Sequence, residues 1–350
     1  MSVSKRGNRR FQPLHLRTTA LLLLSSLACF SFQRPQDRPS VKYVSWDDAV
    51  KAVQARTSTR CSLVPLKRSL LFTGAGVGVD LENLSSQLRK KLAPVLPDLV
   101  KLRLSDCQRL NMYDVAVAYA EVVAAKDILK VAQGNLLLVT ELLNIDKNRF
   151  EAADATVPGY DLLHVESEVG RCQFEVVTME RDLLLAEGKL LELLGQTPEG
   201  QPPRVIPLDA LSIPDVEGIP PVGDLVNAAV QHRPDYLFKK IWYERVEVDV
   251  AQKDAQLQAG KRQIVSEVTS AVVALQSDRA AYETMVKRRK LSEQVVQPTL
   301  RGYERGAIPL TDALEVLRIV LDSGISQVQT EKDHFLDQQR LKCAVGSRIL

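Results

Sequence analysis

The sequence predicts a mainly α-helical protein, all-α in class, built from two copies of a long coiled-coil hairpin. Three observations carry that expectation. Apolar residues recur every seven positions over about four heptads, the pattern returns later in the chain, and aromatic residues are only 5% of the total. Long helices lying side by side pack through Ala, Val and Leu and need little aromatic volume. Composition is otherwise ordinary for a folded chain of 350 residues, with 45% hydrophobic and 25% charged residues. The net charge is +3, and part of it sits near the N-terminus, so no basic domain is present to hold nucleic acid.

The first helical stripe runs through Val115, Val122, Leu129, Leu136 and Leu143, with Ala118, Ala125, Ala132 and Val139 between them. Large residues form one row and mostly alanine the other, which lets a neighbouring helix approach closely. A second stripe begins at Leu162 and continues through Val169, Val176, Leu183 and Leu190, alternating with Val165, Cys172, Met179, Ala186 and Leu193. Each pattern predicts a rod of roughly 34 residues, about 50 Å long.

The plan is then repeated. Asp114–Val122 (DVAVAYAEV) realigns with Glu267–Leu275 (EVTSAVVAL), and Phe150 falls on Tyr303 at the same offset. Allowing two extra loop residues in the first copy, Pro158 and Asp161 fall on Pro309 and Asp312, and Gly195 on Gly346. Chance heptad alignment does not also align the loop residues. The expected organisation is a first helical repeat over 41–195 with a tip loop at 149–161, and a second repeat over 222–346 with a tip loop at 301–312. Between them, 196–221 is a proline-rich linker, carrying Pro198, Pro202, Pro203, Pro207, Pro214, Pro220 and Pro221. Asp224 is placed to cap the helix that follows. Strand-like composition is confined to Leu70–Asp80, so at most a short β segment is expected near 63–84. Val246–Ser266 reads as a charged helix with Gly260 as a break point.

At the N-terminus, Lys5, Arg6, Arg9, Arg10 and Arg17 precede an apolar run from Ala20 to Phe32. This is the pattern of a signal peptide or N-terminal anchor over residues 1–32. Ser26-Leu27-Ala28-Cys29 approaches the pattern that precedes an acylated cysteine, so Cys29 is a candidate lipidation site. Cys61, Cys107, Cys172 and Cys343 are widely spaced and read as buried or free thiols rather than a disulfide framework.

Two motifs carry a resemblance. His232-Arg233-Pro234-Asp235 follows the linker, and Tyr303-Glu304-Arg305-Gly306 leads through Leu310 to Asp312 in the form Tyr-x-x-Gly-x-x-x-x-x-Asp. With the duplication, these are similar to the outer membrane efflux (TolC-like) family over residues 112–195 and 222–346. The resemblance implies a homotrimer whose long hairpins form a periplasmic tunnel beneath an outer-membrane β-barrel. It also implies a periplasmic adaptor (membrane fusion) protein at the hairpin tips and, through it, an inner-membrane pump. The matching tip residues are Phe150 and Asp161 in the first copy, and Tyr303, Gly306, Leu310 and Asp312 in the second. Gly306 suits a turn, and Asp161 and Asp312 are placed to cap the returning helices.

The chain departs from that family where its members insert membrane strands. Asp235 to Glu267 leaves little room for two membrane strands of about 9–11 residues each in addition to helix. The implied function is a passive duct component of a tripartite export system at the outer membrane, with neither catalysis nor cofactor. The alternative is a periplasmic coiled-coil scaffold without a barrel. Other motifs are weaker. Gly74-x-Gly76-x-Gly78 lacks the third glycine of a dinucleotide fingerprint, since Val79 stands there. His164 and Glu168 share a helix face without a second histidine cluster, so a solvated face is expected rather than a metal site. Lys287–Lys290 reads as a solvated charge run.

Overall fold

A computed structural model of the chain describes residues 42–63, 70–71, 78–79, 86–151, 159–195, 205–207, 211, 218–245 and 250–346. The predicted signal segment with Cys29, most of the glycine motif at 74–78, and loop residues 152–158 lie outside the described residues. The elements in order are β1 (Lys42–Val44), α1 (Trp46–Leu63), β2 (Leu70–Leu71), β3 (Gly78–Val79), α2 (Ser86–Leu92), α3 (Leu96–Glu151) and α4 (Gly159–Leu194). There follow β4 (Val205–Pro207), α5 (Val222–His232), α6 (Pro234–Arg245), α7 (Val250–Glu304) and α8 (Leu310–Val345).

Four helices dominate. α3 has 56 residues and α7 has 55, while their partners α4 and α8 have 36 each. At 1.5 Å per residue these are rods of about 84 Å and 54 Å. α3 packs along α4, α7 packs along α8, and α3 and α8 also pack on each other. One continuous apolar seam joins the pairs, through Leu142 and Leu143 of α3, Val165 of α4, Leu300 of α7, and Leu314 and Leu317 of α8. The heptad stripes are therefore the buried faces: Val115, Ala118, Val122, Ala132 and Val139 are all buried.

α3 and α7 exceed the roughly 34 residues that the stripes imply. In α3 the extra length begins at Leu96, and Leu99 is fully buried against Phe238 and Trp242 of α6. That contact is made by distant aromatic residues and leaves no heptad trace. α7 runs unbroken through Gly260, contrary to the expected break. A Cβ at that position would come 3.2 Å from the ring of Tyr236, so the glycine admits a crossing helix instead. α3 and α8 approach closely at Gly324, where a Cβ would lie 2.7 Å from Val131 Cγ1.

Among the described residues the β structure is slight. β2 and β3 pair antiparallel within the window expected from composition. A second pair, β1 with β4, is parallel, in the register Lys42↔Val205, Tyr43↔Ile206 and Val44↔Pro207. It ties part of the proline-rich linker to the start of the first repeat. Only residues 246–249 separate α6 from α7. Among the described residues no helix is long and apolar enough to cross a membrane.

Candidate functional site at the hairpin tips

The second tip is built by a tight helix ending. Gly306 has φ +73°, a left-handed conformation that favours glycine. Its N–H donates to Tyr303 O at 2.9 Å, and the Ala307 N–H donates to Gly302 O at 2.8 Å. This is the paired bonding of a Schellman ending. Ile308 then folds back so closely on Gly302 that a Cβ there would meet Ile308 Cδ1 at 2.5 Å. Pro309 opens α8 in extended conformation and makes no side-chain cap bond. Asp312 is thus not the cap. It lies in the first turn, where its charge faces the positive helix end. The same correction applies to Asp224, since the N-cap of α5 is Pro221.

The turn presents Tyr303 to the end of α3. Tyr303 is 3% exposed, and its O–H donates to Asp146 Oδ1. Arg149 Nη1 donates to Tyr303 O at 2.8 Å, and the Arg149 guanidinium carbon stands 5.2 Å from the Tyr303 ring centroid. Asp146 is fully buried, and its Oδ2 has no hydrogen-bond partner among the described residues. Burial raises the Asp146 pKa and the nearby Asp161 adds to this, while the Tyr303 hydroxyl and Arg149 act in the opposite direction. Burial, and next its bond to Asp146, push the Tyr303 phenol far above its usual range. The hydroxyl therefore remains a donor at any ordinary pH.

Of the residues predicted for the tips, Tyr303 and Leu310 are buried in the seam. Phe150 is 51% exposed on the last turn of α3, and Gly306 and Asp312 are exposed. Asp161 is half-buried in the first turn of α4. Sequence reading missed Asp146 and Arg149 as partners. The signal for Asp146 was available, because it continues the row Ala118, Ala125, Ala132, Val139, where a charge is out of place.

The Arg-Pro-Asp motif lies at the opposite end of α8, about 54 Å from the tip by helix rise. Arg233 is extended and ends α5, as a residue before proline tends to be, and Pro234 starts α6 where no N–H is needed. The Arg233 side chain is 3% exposed. Its Nε and Nη2 donate to Asp235 at 3.0 and 2.7 Å, and Nη1 bonds Glu267 of α7. Gly346, at φ +72°, closes α8 against it, and a Cβ there would lie 2.9 Å from Arg233 Cα. Burial opposes the Asp235 charge, but the Arg233 guanidinium and then Arg109 hold its pKa below the usual carboxylate range. The motif is a structural clamp joining α5, α6, α7 and the end of α8.

Two further readings are corrected. Glu168 is not solvated but buried. It accepts from Arg171 at 2.6 Å and pairs with Arg318 of α8 at 3.4 Å. Cys107 is disulfide-bonded, whereas Cys172 and Cys343 are free. Among the described residues no group of side chains is arranged to hold a metal ion.

No family model and no curated protein sequence matches the chain. Solved structures do. The chain superimposes on the outer-membrane channel OprN with a TM-score of 0.63 at 14% identity, over 90% of this chain and 98% of that one. It matches the outer membrane protein VceC of Vibrio cholerae with a TM-score of 0.61 at 12% identity, over 86% and 92% of the two chains. The MtrE outer membrane channel of Neisseria gonorrhoeae gives 0.56 at 13% identity, over 75% and 71%. The chain therefore has the fold of these outer-membrane channel proteins, the fold implied by its resemblance to the TolC-like efflux family.

Proposed function

We propose that the chain is the helical duct component of an outer-membrane efflux system, a passive conduit that works as a homotrimer and docks by its hairpin tips to a periplasmic adaptor. The observation that carries this reading is the cross-hairpin lock at the tips. Asp146, Arg149 and Tyr303 join helices of the two repeats where a narrow opening could be held shut without covalent chemistry. The exposed Phe150, Gly306 and Asp312 surround that lock and offer a surface for the adaptor. The inner-membrane pump is then engaged only through the adaptor. The disulfide at Cys107 fits an oxidising compartment such as the cell envelope.

A second reading, a periplasmic scaffold without a barrel, is favoured by one feature. Residues 246–249 cannot supply two membrane strands of about 9–11 residues each. Co-expression with a periplasmic adaptor, followed by affinity purification and membrane fractionation, separates the readings. The duct reading expects adaptor to co-purify with wild type and to be lost with Phe150→Asp, and the protein to fractionate with the outer membrane. Recovery in the soluble periplasmic fraction, without adaptor, leaves the scaffold.

A further inference from the structure

We propose that the groove shared by α3, α7 and α8, midway along the hairpins, binds an elongated apolar amine held by Glu331 at one end and Asn135 at the other. The groove has a volume of about 560 Å³ and is open to solvent, which suits a drug-sized molecule. Val131 and Leu138 of α3, Val296 of α7, and Leu321 and Val328 of α8 give it an apolar lining. Gly134 also lines it, in the interior of α3, and a Cβ there would meet no atom within 4 Å. Glycine is unfavourable inside a helix, and no close packing accounts for this one. Its missing side chain leaves the groove open.

Two features select the polar ends of the ligand. Asn135 lines the groove and is 3% exposed. Its Nδ2 donates to Cys172 Sγ at 3.4 Å, and its Oδ1 has no hydrogen-bond partner among the described residues. A buried acceptor without a donor is costly, and a donor carried into the groove recovers that cost. The second feature is charge. Lys130 pairs with Asp127 at 2.6 Å, and Arg289 with Glu293 at 2.8 Å. Among the described residues Glu331 accepts from the neutral Gln327 amide at 2.8 Å and forms no ion pair. The groove therefore carries one uncompensated carboxylate, which favours a cation, and one free acceptor, which favours a neutral donor.

The spacing of these two groups sets the length. α3 and α8 run antiparallel, since Arg109 reaches Cys343 and Val131 stands against Gly324. Asn135 is four residues beyond Val131 towards the tip, and Glu331 is seven residues beyond Gly324 away from it. At 1.5 Å per residue the two groups are about 16 Å apart along the seam. An ammonium at Glu331, a hydroxyl at Asn135 and an alkyl body between them match the charge, the free acceptor and the apolar lining together.

Isothermal titration calorimetry of the full chain with 12-aminododecan-1-ol tests the site, because its ammonium and hydroxyl stand at the two ends of a chain of that length. The groove lies within one chain, so the test needs neither trimer nor adaptor. One site per chain is expected, weakened about tenfold by Glu331→Gln and about fivefold by Asn135→Ala. Gly134→Leu is expected to fold, since leucine has the higher helix propensity and enters open space, and to abolish binding by filling the groove. 12-Hydroxydodecanoate, with a carboxylate in place of the ammonium, is expected not to bind. Equal binding of the two probes overturns the proposal, as does wild-type affinity in Glu331→Gln or Gly134→Leu, or no binding to the wild-type chain. If Asn135→Ala fails to fold, the other two variants decide.

Discussion

At the tip, one hydroxyl decides how a buried charge is tolerated. Asp146 is fully buried, and its one direct hydrogen bond among the described residues is the O–H donated by Tyr303. Tyr303→Phe keeps the ring, and with it the Arg149 stacking, but removes that donor. An uncompensated buried acceptor costs about 1–3 kcal/mol. The expected outcome is faster backbone amide exchange at the ends of α3 and α7, with slower exchange retained around Arg233, read by hydrogen-exchange mass spectrometry. Uniform exchange across both ends would show that the bond does not hold the tip locally. Tyr303 was legible in the sequence because it belongs to a local motif with Gly306. Its pairing with Asp146 was not, because the partners are 157 residues apart and only folding brings them together. The sequence offered half the clue, a carboxylate in an alanine row. The capping roles given to Asp161, Asp224 and Asp312 had a different weakness. Each stands near a helix start, but for α5 and α8 the boundary falls three residues earlier, at Pro221 and Pro309. Proline fixes the entry to the helix through its own φ and leaves the acid to act on the helix dipole alone.

At the scale of elements, the helices find their places through small residues and a few buried charges. Gly324 sets the α3–α8 spacing, since an added Cβ would stand 2.7 Å from the stiff Val131 side chain. Gly324→Ala is expected to cost about 1–3 kcal/mol in chemical denaturation, an overpacking penalty. Val131→Ala in the same chain should recover much of it, a coupling that a simple change of helix propensity would not produce. The Glu168–Arg318 pair carries a pH signature. The Arg171 hydrogen bond, opposed by burial and helped by Arg318, holds the Glu168 pKa below its usual range. A depressed folded pKa means that the stabilisation is present above the ordinary Glu pKa of about 4.3 and is lost as pH falls through the lower folded value. Arg318→Gln should therefore lower stability by about 1 kcal/mol near neutral pH and by progressively less in acid, as Arg318 is itself half-exposed. A constant difference across the pH range would exclude this pairing as the cause. The heptads made both hairpins legible, but not the extensions of α3 and α7. Those parts are helical because α6 packs on them through Phe238, Trp242 and Tyr236, and such contacts have no period in the sequence.

For the whole molecule, the decisive feature is a helix with two apolar faces. One face of α4 lies in the seam through Val165, Cys172, Leu190 and Leu194. The other carries Tyr160, Leu163, Phe174, Val177, Leu184 and Leu185, of which Phe174 is 73% and Leu185 66% exposed. Leu163, Gly170, Val177 and Leu184 are spaced by sevens, the period of a second coiled-coil seam. Gly170 has open space around it, so a further helix can approach there. Apolar surface on this scale marks an interface, and in a homotrimer the face would be covered by a neighbouring copy. Replacing Phe174 and Leu185 by lysine leaves the α3–α4 seam intact while placing two charges on the outer face. On the proposed trimer, analytical ultracentrifugation is expected to show a trimeric wild type and a monomeric double variant, with helical content by circular dichroism within about 10% of wild type, since helix formation rests on the inner seam. A trimer that survives both lysines would mean that α4 faces solvent or lipid, and three hairpin pairs could not then close a duct through this helix.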